Sequence, residues 1–159
     1  MAQAGDNTPG GRFGFSLIEA VLVITIIATV AAIAAPRYSG SISRYRAETA
    51  AQRVVADLAF ARMRALTSGA QKTTVFDTGA DQYQILGQAD LDDSSKDYVV
   101  KLFGKPYRSE LVSADFGGDA TVVFDGYGIP DSGGQVVVRA GHFNKTIVLD
   151  ADSGKAEVQ

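Results

Sequence analysis

The chain is 159 residues long, 46% hydrophobic and 21% charged, which suits one compact domain plus one extra segment and is too short for a multidomain enzyme. Fifteen Lys and Arg against 18 Asp and Glu give a net charge of -3, so the overall balance offers no electrostatic warrant for nucleic-acid binding. The absence of cysteine excludes disulfides, cysteine-based zinc sites and thiol catalysis while leaving the redox compartment open, and the single histidine thins the catalytic options further.

From Phe15 to Ala35 the chain reads FSLIEAVLVITIIATVAAIAA, 21 residues whose only charge is Glu19. As a helix this run is about 31 Å long, against a bilayer hydrocarbon core of about 30 Å. A buried helix of a soluble domain normally shows a polar stripe, and this segment is apolar all round once Thr25 and Thr29 are allowed for. The reading is a single membrane crossing. A cleaved secretory signal is the rival, because Arg12 precedes the run and Ala32, Ile33 and Ala34 form an A-x-A site that would release a chain starting at Ala35. Glu19 stands against it: a carboxylate inside an apolar helix costs about 2.5 to 3.5 kcal/mol near the centre and has no use in a disposable signal.

Gly14, Phe15, Ser16, Leu17, Ile18 and Glu19 resemble the processing site of type IV pilins and type II secretion pseudopilins, G-F-[ST]-L-x-E, with the apolar run following at the right spacing. The resemblance implies that a prepilin peptidase cuts between Gly14 and Phe15 on the cytoplasmic side and methylates the Phe15 amine. It also implies that Glu19 pairs with the Phe15 amine of a neighbouring subunit during filament assembly. Unit charges about 4 Å apart at an effective dielectric near 20 attract by about 4 kcal/mol. Residues 1–14 are then a leader peptide and 15–36 a transmembrane and filament-core helix. The charge pattern points the other way, since Arg12 alone precedes the span while Arg37, Arg44, Arg46 and Arg53 follow it, which under the positive-inside rule favours a cytoplasmic C-terminus. The processing motif is given precedence, with the N-terminus cytoplasmic and the C-terminal domain periplasmic.

Pro36 should end or kink the apolar helix, having no amide donor and a ring that clashes with the preceding turn. Residues 37–69 then form an amphipathic stem, with Ile42, Tyr45, Thr49, Val55, Leu58, Phe60, Met63 and Leu66 on one face and Arg44, Glu48, Arg53, Asp57 and Arg62 on the other. Ser68 and Gly69 close it. Residues 37–70 carry six arginines against Glu48 and Asp57, a net of +4, whereas residues 71–159 carry 8 positive and 14 negative charges, a net of -6. A basic stem facing acidic bodies would guide subunit packing.

From Lys72 the period changes to two and the punctuation to glycine with aspartate, the pattern of short antiparallel strands. Strands are expected at Lys72 to Phe76, Tyr83 to Leu86, Tyr98 to Phe103, Ala120 to Phe124, Gln135 to Arg139, Thr146 to Leu149 and Ala156 to Val158. The fold class is α+β: a long N-terminal helix packed on an antiparallel sheet or sandwich formed by residues 70–159. The run LAFARMRALTSG at Leu58 to Gly69, with VVFDGYGIPDSGGQVVV and KTIVLDADSGKAEV further on, resembles the GspH/FimT-type minor pseudopilins.

No catalytic, cofactor-binding or metal set stands out. His142 reads as a strand-end or loop histidine. Asp90, Asp92, Asp93 and Asp97 make an acidic loop that imitates the start of a calcium loop, but Ser95 replaces the turn glycine and Lys101 the bidentate glutamate. A solvated loop is favoured. The triplet Asn144, Lys145, Thr146 is discounted as a glycosylation site, and no complete phosphate-cradling or dinucleotide motif exists. Some FimT-type pilins bind DNA through a C-terminal G-R-x-R segment; here those positions are Gly154, Lys155, Ala156 and Glu157, which would neutralise few phosphates. Nucleic acid is therefore not an expected partner.

The sequence reads as a non-enzymatic minor pseudopilin of the periplasmic pseudopilus of a type II secretion system. Its partners would be other pseudopilins, the prepilin peptidase, the inner membrane and secreted cargo. The alternatives are a type IV pilus minor pilin serving piliation or DNA uptake, and a secreted binding domain released at Ala35.

Overall fold

The computed structural model describes residues 14–159, with the side chains of residues 33–39 outside that description. All of the expected leader except Gly14 therefore lies outside the described residues. The chain divides into two compact units, one ending at Tyr38 and the other spanning Ser39–Gln159.

In the first unit, helix α1 (Leu17–Ser68) begins, its first turn marked by the Ala20 amide donating to the Ser16 carbonyl at 3.1 Å. Every described side chain from Gly14 to Ala32 is exposed, including Phe15 (75%) and Leu17 (83%). Thr25 and Thr29 donate their hydroxyls to the Val21 and Ile26 carbonyls, each at 2.8 Å, so both threonine hydroxyls of the apolar run are satisfied within the helix. Among the described residues no helix is long and apolar enough to cross a membrane. The side chains described here stop at Ala32, and the rest of the expected span, to Ala35, lies outside the described residues. The helical assignment runs through Pro36, so the proline does not end the helix; a missing amide removes one hydrogen bond from an element held by many.

The second unit opens with the remainder of α1, which stops at Ser68 where Gly69 takes a φ of 62°, the left-handed position that favours glycine. Eight strands follow: β1 (Lys72–Asp77), β2 (Gln82–Ala89), β3 (Asp97–Lys101), β4 (Glu110–Asp115), β5 (Thr121–Phe124), β6 (Gly134–Ala140), β7 (Phe143–Leu149) and β8 (Ala156–Val158). They form two four-stranded sheets rather than one, ordered β3-β2-β1-β5 and β4-β6-β7-β8, with every pairing antiparallel. The chain crosses between the sheets at β4, β5 and β6. The expected strand at Tyr98 to Phe103 is shorter, ending at Lys101, and β4 falls where no strand was expected.

One core joins α1 to both sheets. Leu58 of α1 shares this core with Phe76, Tyr83 and Ile85 of the first sheet and Leu111, Val136 and Ile147 of the second. The helix face that enters this core only partly matches the one the large apolar residues marked: Leu58 is buried and Val55 and Phe60 pack against the core, but most of the buried stripe is alanine. Ala47, Ala50, Ala51, Val54, Leu58, Ala61 and Ala65 are buried, all but Leu58 at 0% exposure, whereas Tyr45 (72%), Met63 (59%) and Leu66 (44%) face outward. Their spacing of three and four keeps the small residues on one stripe. With alanine on that stripe the helix axis can approach the sheets closely.

Candidate functional site

Of the residues that sequence singles out, Gly14, Phe15 and Glu19 lie together at the start of α1, all exposed. Glu19 sits in the first helical turn, where the helix dipole favours a negative charge. Around and beyond it the exposed side chains are almost all apolar: Leu17, Ile18, Val21, Leu22, Ile24, Ile26, Ile27 and Val30. A continuous apolar surface of this kind is an interaction surface, since isolated soluble proteins rarely expose more than a few hundred Å² of it. Such a surface can pack against lipid or against other apolar helices.

The body holds a second polar constellation that the sequence hides. Asp57, expected on the outer face of the stem, is 5% exposed and points into the core. Tyr83 donates its hydroxyl to Asp57 Oδ2 at 2.5 Å, Tyr98 donates to Oδ1 at 2.7 Å, and Arg53 Nε donates to Oδ2 at 2.9 Å. Arg53 also donates to the Tyr98 hydroxyl at 2.7 Å, so both tyrosines and the arginine converge on one carboxylate. Burial, then the Asp57 charge, pushes the Tyr83 hydroxyl well above the ordinary tyrosine range. The same causes push Tyr98 up to about 12. Burial alone would lower Arg53, but the hydrogen bond and charge of Asp57 outweigh it and hold the guanidinium protonated. These groups fasten α1 to β2 and β3. The spacing of Arg53 and Asp57, four apart on a helix, was the available signal, and nothing local shows that the pair is turned inward.

The stem arginines do not form one basic face. Arg53 is committed to Asp57, Arg62 Nε donates to the Gly128 carbonyl at 3.0 Å, and Arg64 lies over the Phe60 ring at 5.3 Å. Arg44 and Arg46, in the first turns of the stem, make no ion pair among the described residues.

The remaining candidates are peripheral. Asp90 Oδ1 accepts from the Asp92 and Asp93 amides at 2.9 and 3.1 Å, and Asp93 accepts from Ser95 and pairs with Lys96 at 2.7 Å. These bonds hold Asp93 below the usual carboxylate range, Lys96 first among the causes. Among the described residues no group of three or more side chains is placed to hold a metal ion. His142 sits exposed in the turn between β6 and β7. Lys155 pairs with Glu157 at 2.6 Å, which occupies the one cation of the Gly154 to Glu157 segment.

A family model described as Type II transport protein GspH matches residues 50–154, the part of the chain that carries the buried face of α1 and the strands through β7. The crystal structure of the type IV minor pilin FimU from Pseudomonas aeruginosa is similar in fold, with a TM-score of 0.52 and 11% identity, covering 73% of this chain and 88% of that chain. No curated protein is significantly similar to the chain.

Proposed function

Because the chain belongs to the GspH family of type II transport proteins, we propose that it is a minor pseudopilin, a non-enzymatic subunit of the periplasmic pseudopilus of a type II secretion system. The observation that carries this reading is the division of labour along α1. Its later half buries an alanine face in a complete core, while Leu17–Ala32 exposes an apolar surface with no partner among the described residues. Such a helix needs an apolar environment, first the inner membrane and then the helices of neighbouring subunits.

In this reading the prepilin peptidase removes residues 1–14, the new Phe15 amine is methylated, and Glu19 of one subunit meets that amine on the next. Stranding either charge in an apolar filament core is costly. Pro36 marks the passage from the filament-core helix to the body. Deletion of the gene should leave several folded exported proteins in the periplasm instead of the medium, with export restored by the wild type but not by Glu19→Ala. A mature N-terminus at methylated Phe15, measured by mass spectrometry, is expected; one at Ala35 would replace this reading with a secreted domain.

The likeness in fold to a type IV minor pilin supports the pilin architecture and favours one alternative, a minor pilin of a type IV pilus. Normal export in the deletion strain together with lost surface pili would select it.

A further inference from the structure

We propose that the end of the body where α1 enters it is a docking surface for an anionic phospholipid bilayer; this rests on the membrane-anchor reading above. The body begins at Ser39, so the chain enters it at this end. Two connections flank the first turns of α1 here. In the β6–β7 turn, Gly141 is so close that a Cβ on it would lie 2.9 Å from Ser43 Oγ, and Lys145 beyond it pairs with Glu48 at 2.8 Å. In the β3–β4 connection, Ser109 Oγ, which donates to the Tyr107 carbonyl at 3.1 Å, also lies 3.5 Å from the Arg46 carbonyl, which brings Phe103, Lys105 and Arg108 to the same end.

The rim at this end carries exposed Arg44, Lys105 and Arg108, half-buried Arg46, and two outward aromatics, Tyr45 (72% exposed) and Phe103 (73%). Glu48 and Glu110 at this end are already paired with Lys145 and Arg139, and Glu48 feels the Arg44 charge only more weakly. Among the described residues none of the four rim cations has a carboxylate within ion-pair distance. Unpaired cations next to exposed aromatic rings are what a headgroup layer accepts: the charges meet lipid phosphates and the rings enter the interfacial region. The same chemistry accounts for Arg44 and Arg46, two of the arginines that follow the apolar run on the side opposite to the positive-inside expectation. On the far side of the bilayer they would rest on headgroups, and each adds about fivefold to surface partitioning.

The test uses the full chain in nanodiscs of phosphatidylcholine alone or of equal parts phosphatidylcholine and phosphatidylglycerol, read by amide hydrogen exchange. The proposal expects slower exchange at residues 103–109 and 141–144 in the phosphatidylglycerol discs only. That protection should disappear at high salt and in the Arg44→Gln, Arg46→Gln, Lys105→Gln, Arg108→Gln variant, which leaves the core untouched. Equal exchange in both lipids, with the chain still anchored, would overturn it, as would protection by a DNA duplex but not by phosphatidylglycerol. If alkaline carbonate extracts the chain from membranes, the anchor reading fails by itself, and flotation of the extracted chain with phosphatidylglycerol vesicles then decides the rim. Flotation lost in the variant supports the surface, and no flotation rejects it.

Discussion

The Tyr83 hydroxyl lies 2.5 Å from Asp57 Oδ2, a bond from the start of β2 to the buried side of α1 that closes off a carboxylate placed inside the core. Removing the donor leaves an acceptor short of a partner in a site from which water is largely excluded. Tyr83→Phe should cost about 1 to 3 kcal/mol of unfolding free energy. Asp57→Ala should cost about 3 kcal/mol, near the low end for a broken buried pair because the Arg53 side chain is 37% exposed and can turn to water. Urea unfolding of the two variants checks the order; Asp57→Ala at wild-type stability would show that the network is ornamental.

Stability should fall at alkaline pH. Tyr98 is raised from 10.0 to about 12 by burial and by Asp57, so the fold favours its neutral form. A raised pKa gives a contribution that is full below the unfolded value, near pH 10, and is lost as pH rises toward 12. Denaturation midpoints measured across that window should decline, and Tyr98→Phe, though less stable at neutral pH, should decline less steeply.

The buried stripe of α1 should respond to size and its exposed face should not. Ala61 is 0% exposed within the shared core, and Ala61→Leu should cost about 1 to 3 kcal/mol through overpacking. Met63, two residues away and 59% exposed, should tolerate Met63→Ser within about 0.5 kcal/mol. The reverse order in thermal unfolding would restore the face marked by the large apolar residues.

The Glu48 to Lys145 pair, 2.8 Å apart, ties α1 to β7 at the surface. Lys145, followed by Gln52, holds the Glu48 carboxyl below its ordinary value of 4.5. The sign follows: the contribution is present above that ordinary value and is lost as pH falls below it. A double-mutant cycle at neutral pH should give a coupling under about 1 kcal/mol that shrinks with added salt.

What could be read directly from the residues is what is written in consecutive positions. The processing motif from Gly14 to Glu19 and the apolar run after it are local patterns, and the close of α1 at Ser68 and Gly69 needs only a residue that accepts a left-handed backbone. Strands such as Val136 to Val138 announce themselves by alternation. β4 does not, because only Leu111 is fully buried in it and a register shift between Leu111 and Ser113 breaks the period. The alanine stripe was illegible for a different reason: a small side chain becomes core only when another element comes close enough to cover it. The inward turn of Asp57 depends on two tyrosine hydroxyls 26 and 41 residues away, and the basic rim on two connections brought to one end of the body. Local chemistry determined which surface seeks a partner, whereas packing decided which charges are spent inside the fold and which remain outside.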